Sequence, residues 1–412
     1  MQRPPDTSAA LTIFALTYLG IAAGRVPGLK VDRTGIALLG AIAVLVFCRI
    51  PTNTVIGFIN WPTILLLFGF FVISAQLRLS GFFEKVAGAI SVRLGHPARF
   101  LLVMMAATAG LSAFLNHDIV CFVFTPIVAG TLARRQVNPV PFLIALAISS
   151  NIGAAATLVG NAQDMMIAQV AGLRFGPYLF WCLPPTIIAL CAAYGIIWMM
   201  SRTHLAATGP APAIDSTGEQ PFSLGHTIKG LVVLALVIVF FFTPARSELV
   251  ALTAAAIHLA SPKYRTSDLL RLVDWSILVL FIGLFVVTGA FQATGCGTQA
   301  VQWLAHIGVN LHSAPMLAVV TAVLSNLINN SVAAMLLVNV VNVAHPPAAY
   351  VLALANSFGG SMIIIGAVSN IIVVQQARQM GITISFRDFA RLGIPVTVAA
   401  LVALILWAAV KS

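Results

Sequence analysis

Predominantly apolar runs of about 17 to 25 residues recur along the whole chain. A bilayer core about 30 Å thick requires helices of this length. The mean hydropathy of +1.01 and the charged fraction of 8% lie outside the range of soluble domains. Alternating segments of roughly ten residues, which a β-barrel needs, are absent from the sequence. The sequence therefore predicts an all-α polytopic membrane protein.

The apolar runs predict ten membrane-spanning helices. They lie near 9–24, 35–50, 61–79, 139–170, 177–200, 227–243, 248–261, 274–293, 347–377 and 388–410. Two further segments, 99–133 and 312–344, are long enough to enter the membrane twice, and each carries a polar cluster at its middle. We interpret both as re-entrant helical hairpins whose tips reach the bilayer interior. Irregular backbone at that depth must face protein or a water-filled cavity.

The distribution of basic residues predicts the orientation of the chain. With ten spans and two hairpins, five of the 22 Lys and Arg residues fall on one side of the membrane and the remaining 17 on the other. Basic loops stay in the cytoplasm, so both termini are predicted outside and the polar stretch 204–227 inside. The net charge of +11 is spread over short loops, which argues against a nucleic-acid partner. A multi-pass protein of the cell membrane is expected.

The two halves of the chain resemble each other, which is a signal at the level of the fold. Three pairs of segments align: "WPTILLLFGFFVISAQLRLSG" (61–81) with "WSILVLFIGLFVVTGAFQATG" (275–295), "LSAFLNHD" (111–118) with "LSNLINNS" (324–331), and "NIGAAATLVGNAQD" (151–164) with "SFGGSMIIIGAVSN" (357–370).

We divide the chain into a first repeat (1–203), a Pro/Gly/Ser-rich linker (204–227) and a second repeat (228–412). Each repeat holds five spans, an odd number, so the second inserts upside down relative to the first. Each also holds one hairpin and one broken helix, at about 139–170 and 347–377. Inverted repeats with interrupted helices are the plan of secondary transporters, which bind substrate near the membrane midplane.

The first hairpin tip, "FLNHDIVCFVFTP", places Asn116, His117 and Asp118 in an apolar environment. A carboxylate at the centre of a membrane helix costs about 2.5–3.5 kcal/mol on insertion scales, so it normally faces a cavity and has a function. Asp118 either couples transport to H⁺ or Na⁺ or caps the next helix, and capping does not exclude coupling. His117 either shares a proton with Asp118 or is a neutral hydrogen-bonding residue.

The equivalent tip of the second hairpin is polar but uncharged and consists of Asn329, Asn330 and Ser331. Its amide and hydroxyl groups can donate hydrogen bonds to an anion. Asp118 and Asn330 also offer oxygen ligands that Na⁺ could use. The sequence predicts no other metal site and no cofactor.

Glycines, amides and hydroxyls in the two broken helices predict unwound backbone around a site. The residues predicted to bind substrate are Asn116, His117, Asn161, Gln163, Asn329, Asn330, Ser331, Ser369 and Asn370. The residues predicted to couple a cation are Asp118, Ser150, Asn151, Asp164 and Asn356.

These motifs resemble the ion transporter superfamily, which includes arsenite permeases, citrate and dicarboxylate transporters and Na⁺/H⁺ antiporters. "NHDIVCFVFTP" resembles the hairpin motif of arsenite permeases, and "ATLVGNAQDMMIA" is similar to their Gly-Asn-Pro-Gln-Asn segment. "SNLINNS" resembles their second hairpin, and "GAVSNIIVVQQARQMGITISFRDF" the matching stretch of citrate-type members. The resemblance covers most of the chain. It implies a homodimer with elevator-like alternating access.

The sequence departs from the family pattern at four single positions and at Leu158–Val159, which lacks the Thr-Pro of sodium–dicarboxylate members. His117 and Asp164 stand where asparagine is usual, and Ala162 and Ile364 stand where proline is usual. These departures argue against Na⁺-coupled dicarboxylate transport and favour proton coupling at Asp118.

The leading hypothesis is a secondary active transporter that moves a small inorganic or organic anion, such as an oxyanion or carboxylate, together with or against H⁺ or Na⁺. An arsenite or antimonite efflux permease ranks second, because a solitary Cys121 offers no thiol cluster for a soft metalloid. A Na⁺/H⁺ antiporter would use the carboxylates of Asp118 and Asp164. An enzyme is not expected, since neither HExxH nor GxSxG occurs in the sequence.

Overall fold

The computed structural model describes residues 7–23, 30–91, 97–134, 136–202, 222–296, 299, 302, 306, 309–341, 343 and 346–411. These described residues form nineteen helices and no strand, which confirms the predicted all-α class. Most of the predicted linker 204–227 lies outside the described residues.

Ten helices precede residue 203 in the described part of the chain. They are α1 (Thr7–Ala23), α2 (Arg33–Phe47), α3 (Thr52–Gly57), α4 (Trp61–Leu79), α5 (Phe82–Ser91), α6 (Pro97–Phe114), α7 (His117–Arg134), α8 (Val140–Ala154), α9 (Ala162–Ala171) and α10 (Phe175–Ser201).

Nine described helices follow residue 221. They are α11 (Leu224–Phe241), α12 (Ser247–Leu259), α13 (Thr266–Arg271), α14 (Trp275–Ala293), α15 (Ala314–Ile328), α16 (Asn330–Val340), α17 (Pro346–Gly359), α18 (Val368–Gln379) and α19 (Phe386–Lys411). A single 3₁₀ turn at Ile364–Gly366 lies between α17 and α18.

Helix starts recur at a constant spacing in the two halves. The starts of α2, α3 and α4 precede those of α12, α13 and α14 by 214 residues each. Local capping explains the start of α4, where the Asn60 side chain accepts a hydrogen bond of 3.0 Å from the Thr63 amide. The Asp274 side chain caps α14 in the same way, accepting from the Ile277 amide at 3.1 Å. Side chains that satisfy free N–H groups thus fix corresponding starts in both halves.

Two glycines allow helices from opposite halves to pack closely. α4 meets α12 at Gly69, where an added Cβ would lie 2.7 Å from the Cβ of Ala251. α14 meets α2 at Gly283, where an added Cβ would lie 2.8 Å from the carbonyl carbon of Ala37. Small residues give membrane helices this close backbone approach, which dispersion forces then stabilise. The pairs α4–α12 and α2–α14 therefore form a tightly packed frame.

Seven of the described helices have the length and apolar composition to cross a membrane: α4, α6, α7, α10, α11, α14 and α19. Both arms of the first predicted hairpin, α6 and α7, are among them, with 18 residues each. The predicted spans 35–50 and 248–261 form helices of only 15 and 13 residues, α2 and α12. The prolines at 51 and 262 follow these helices, and a proline disfavours helical backbone in the residue before it.

Four interruptions divide long apolar segments near their middles. Two residues separate α6 from α7, and a single residue separates α15 from α16. Residues 155–161 lie between α8 and α9, and residues 360–367 lie between α17 and α18. Helix ends leave backbone N–H and C=O groups without helical partners, so polar side chains gather at these four breaks.

Candidate functional site

The first hairpin tip holds a buried carboxylate. Asn116, His117 and Asp118 are each less than a tenth exposed. The Asn116 side chain accepts from the Asp118 amide at 2.8 Å and so caps the start of α7. His117 Nε2 lies 3.5 Å from Asp118 Oδ1. Neither Asp118 Oδ1 nor His117 Nδ1 has a hydrogen-bond partner among the described residues. Because Asn116 already supplies the cap, the Asp118 carboxylate is available to bind a cation.

The second hairpin tip is neutral and strained. Asn329 joins α15 to α16 with φ 78° and ψ 148°, a backbone conformation that is almost confined to glycine. The side chains of Asn329 and Asn330 both accept from the Ser331 amide, at 3.1 and 2.9 Å. The Asn329 Nδ2 amide donor has no partner among the described residues. A buried donor thus stands at a strained position, as is common at ligand-binding sites.

The first break in a broken helix centres on Asn161 and Asp164. Asn161 Oδ1 accepts from the Asp164 amide at 2.7 Å, and Asn161 Nδ2 donates to Asp164 Oδ2 at 2.7 Å. Asp164 is fully buried, and its Oδ1 has no described partner. The Thr157 hydroxyl donates to the Ala113 carbonyl, which ties this break to the first hairpin.

The second break is stabilised by an amide. Asn370 Nδ2 donates to the carbonyls of Gly360 and Ile363, at 2.7 and 3.0 Å, so its side chain replaces helical hydrogen bonds that the break has lost. Asn356, near the end of α17, is fully buried, and neither Nδ2 nor Oδ1 has a described partner. Leaving such a group unpaired costs about 1–3 kcal/mol, which a bound ligand can recover.

The hairpins and broken helices of opposite halves pack crosswise. We call the junction of α7, α8 and α18 the first crossing, and the junction of α16, α17 and α9 the second crossing. In the first, Asn151 Nδ2 donates to Asn370 Oδ1 at 2.8 Å, and the Ser369 hydroxyl donates to Asn151 Oδ1 at 2.9 Å. The Ser150 hydroxyl also donates to the His117 carbonyl there, at 3.3 Å.

The second crossing has its own bonds between the halves. Gln163 Nε2 donates to the Ser331 hydroxyl at 2.8 Å, and Asn161 Nδ2 donates to the Ser357 hydroxyl at 3.1 Å. Six of the predicted residues thus form hydrogen bonds with the other half: Asn151, Asn161, Gln163, Ser331, Ser369 and Asn370. The structure also separates the two predicted carboxylates, because Asp118 belongs to the first crossing and Asp164 to the second.

Four further residues take part, of which the sequence singles out only Ser357, as a residue of the second broken helix that lines the cavity. The Ser112 hydroxyl lies 2.9 Å from the Ser150 hydroxyl, and Asn326 Nδ2 donates to the Gly359 carbonyl at 2.7 Å. Thr157 and Ser357 make the contacts described above. Ser112 and Asn326 both fall within the aligned segments "LSAFLNHD" and "LSNLINNS", so the internal repeat contained the signal that identifies them.

Comparison with known proteins places this arrangement in a family. Residues 18–355 match the family model described as a citrate transporter. A relative named as an uncharacterized transporter of Mycobacterium tuberculosis (strain CDC 1551 / Oshkosh) is 31% identical over 418 residues, which cover 97% of each chain. The silicon efflux transporter of Oryza sativa subsp. japonica is 27% identical over 447 residues, which cover 91% of each chain.

Two solved structures share the fold. The YdaH transporter of Alcanivorax borkumensis aligns with a TM-score of 0.60 at 13% identity, over 98% of this chain and 97% of that one. The Neisseria gonorrhoeae MtrF structure aligns with a TM-score of 0.61 at 11% identity, over 100% of this chain and 95% of that one. With a family match over most of its length and helices that can cross a bilayer, the chain belongs to the citrate transporter family and is a multi-pass membrane transporter.

Proposed function

We propose that this chain is a secondary active transporter that moves a small anion or oxyanion and couples that movement to H⁺ or Na⁺. The observation that carries the proposal is the set of buried, unpartnered polar atoms at the two crossings. At the first crossing these atoms are Asp118 Oδ1 and His117 Nδ1. At the second they include the amide donors of Asn329 and Asn356.

The first crossing has the chemistry of a cation site. A carboxylate oxygen without a hydrogen-bond donor is costly in a buried place unless a proton or a metal cation binds it. The imidazole Nε2 of His117 lies 3.5 Å from Asp118 Oδ1, so a proton bound at the first crossing has two adjacent polar groups. Asp118 is therefore the proposed coupling residue, with H⁺ preferred over Na⁺.

The second crossing has donors for an anion. The Nδ2 groups of Asn329 and Asn356 can donate to carboxylate or oxyanion oxygens, and neutral amides bind such groups without the desolvation cost of a buried cation. Asp164 places a carboxylate in the same crossing, so a proton or Na⁺ bound there would accompany the anion. This arrangement favours transport of anion and cation in a fixed ratio.

An elevator mechanism with two inverted repeats accounts for the arrangement of the helices. Helix starts recur after 214 residues, and at each crossing the hairpin of one half packs against the broken helix of the other half. Both observations support inverted repeats. In this proposal the two crossings move as one body past the frame formed by α4–α12 and α2–α14. A homodimer, with both termini outside the cell membrane and the linker in the cytoplasm, completes the proposal.

The relatives suggest the classes of substrate to test. The family description points to citrate, and the rice relative is named for silicon efflux. Silicic acid is a small hydroxylated oxyacid that neutral amides can bind through hydrogen bonds, so export of an oxyacid is the second candidate.

The direct test measures transport in proteoliposomes. Citrate, succinate, sulfate, phosphate, silicate and arsenite are each supplied with and without a pH gradient or a Na⁺ gradient. We expect one of these gradients to drive accumulation of at least one substrate. The Asp118→Asn variant should reduce that accumulation to the level of empty vesicles, because an amide does not take up a proton and lacks the negative charge that balances a bound cation.

The matched control is Asp388→Asn, which removes an exposed carboxylate at the start of α19. We expect this variant to transport like the natural protein. Gradient-driven accumulation that persists in Asp118→Asn would refute the coupling role. Movement of none of the six compounds under any gradient would refute the proposed substrate class.

A further inference from the structure

A cavity of about 900 Å³ lies to one side of the two crossings. Its wall is formed by the start of α4, the break before α9, the end of α9, the start of α10, the end of α11 and the start of α12. The wall includes Leu158, Ala168, Gln169, Arg174 and Arg246. The cavity is large enough for a carboxylate or oxyanion of metabolite size.

The cavity opens at the membrane face opposite the linker. α10 runs from Phe175, in the cavity wall, to Ser201, after which the chain enters the linker. Its 27 residues rise about 40 Å, which exceeds the hydrocarbon thickness of a bilayer. α11 begins at Leu224, within the last four residues of the predicted linker, and ends at Phe241, again in the cavity wall. The cavity and the linker therefore lie at opposite ends of these two helices.

The cavity also reaches inward to the second crossing. Gln169, near the end of α9, and Leu158, before its start, both line the wall. The ten residues of α9, which rise about 15 Å, start after Leu158 and end after Gln169. Leu158 and Val159 belong to the break that ends at Asn161, the residue that caps α9. The cavity thus connects the outer face with the break beside Asp164.

The charged side chains in the cavity wall carry a net positive charge. Arg246 Nη2 lies 2.6 Å from Glu248 Oε1, and Arg246 Nε donates to the same oxygen at 2.7 Å. Arg174 is exposed and has no carboxylate within 4 Å among the described residues. The remaining residues of the wall are uncharged. Two guanidinium groups against one carboxylate create a potential that concentrates anions in the cavity.

We propose that this cavity is an anion-selective vestibule. In it Arg174 and Arg246, whose guanidinium is bound by Glu248, attract the anionic substrate, which then reaches the break at Leu158 and Val159. The proposal rests on the proposed function for its substrate class. Arg174 supplies the attraction, because its charge is unpaired. Glu248 fixes the guanidinium of Arg246 at the rim, where that group can make a charge-assisted hydrogen bond to the entering anion.

The test uses thiol chemistry and needs no knowledge of the substrate. A cysteine at Leu158, in a Cys191→Ala background that lacks the exposed native thiol, reports on the inner end of the cavity. Anionic sulfonatoethyl and cationic trimethylammonioethyl methanethiosulfonate are applied to either face of oriented vesicles. We expect reaction from the face opposite the linker. Arg174→Gln should lower the anionic-to-cationic rate ratio by at least about threefold, as loss of one nearby charge in water implies.

The matched control is Arg202→Gln at the far end of α10, which should leave the ratio unchanged. If Leu158→Cys does not fold, Ala168→Cys reports on the same cavity. Reaction only from the linker face, or a ratio insensitive to Arg174→Gln, would overturn the vestibule. Either result leaves the proposed transport function standing, because uptake in proteoliposomes tests that function separately.

Discussion

At the scale of single residues, the structure distinguishes two carboxylates that the sequence treats alike. Asp164 Oδ2 accepts a hydrogen bond from the Asn161 side chain, so its carboxylate is partly satisfied by the protein. Oδ1 lacks a hydrogen-bond partner in both carboxylates, but Asp118 accepts no side-chain hydrogen bond from the described residues and has His117 Nε2 at 3.5 Å from its Oδ1. A site that binds and releases a cation requires a ligand that is not already saturated. Asp118 therefore fits coupling, whereas Asp164 also has a structural role in holding the break before α9.

Asn329 holds a strained backbone conformation at the second hairpin tip. Its φ of 78° with ψ of 148° is costly for a residue with a side chain, and glycine would relieve about 1 kcal/mol of strain. The Ser331 amide keeps Asn330 as its acceptor in the variant. We expect Asn329→Gly to raise the melting temperature in detergent and to lower substrate uptake, because the variant lacks the free amide donor.

The control for this variant is Gln136→Gly, which relieves the strain of another positive φ, of 58°, at an exposed position. This change should raise the melting temperature and leave uptake unchanged. Full uptake by Asn329→Gly would show that the Asn329 amide does not bind substrate.

At the scale of helices, the sequence predicts the breaks within apolar segments better than the residues at which helices end. A polar cluster inside an apolar run is visible in the sequence, so the tips at Asn116 and Asn329 could be predicted from residue type alone. The predicted spans 35–50 and 248–261 extend three and two residues beyond the ends of α2 and α12, because the prolines at 51 and 262 disfavour helical backbone before them. The crosswise contacts, such as Asn151 with Asn370, depend on three-dimensional packing and leave no spacing signal in the chain.

The close packing of α14 on α2 gives a prediction at this scale. An added Cβ at Gly283 would lie 2.8 Å from the Ala37 backbone, which cannot move without shifting α2. Gly283→Ala should therefore destabilise the protein by about 1–3 kcal/mol, read as a lower melting temperature in detergent. Gly195→Ala in α10 is the control, since nothing lies within 4 Å of its added Cβ, and alanine favours helix by about 1 kcal/mol. An equal effect of both substitutions would contradict close packing at Gly283.

At the scale of the whole molecule, the proposed division into a moving body and a frame accounts for the different packing of the two sets of helices. The short helices α2 and α12 pack against the long helices α14 and α4, and glycines make these contacts close. The two crossings instead contain four chain breaks and are joined by amide and hydroxyl hydrogen bonds. A tightly packed frame around a polar body suits a motion in which the body slides and the frame remains in place.

The proposed motion can be tested at a contact between the proposed body and the frame. Gln169 Nε2 on α9 donates to the Ser247 hydroxyl on α12 at 2.8 Å. A reducible bis-methanethiosulfonate crosslinker between Gln169→Cys and Ser247→Cys should arrest transport, and reduction should restore it. The control pair, Ser80→Cys with Thr227→Cys, joins the end of α4 to α11, which packs against α4 and α12 of the frame, and the two hydroxyl oxygens lie 3.0 Å apart. We expect that crosslink to leave transport intact. Undiminished transport with α9 fixed to α12 would exclude sliding of the crossings past the frame, because an elevator must break this contact in each cycle.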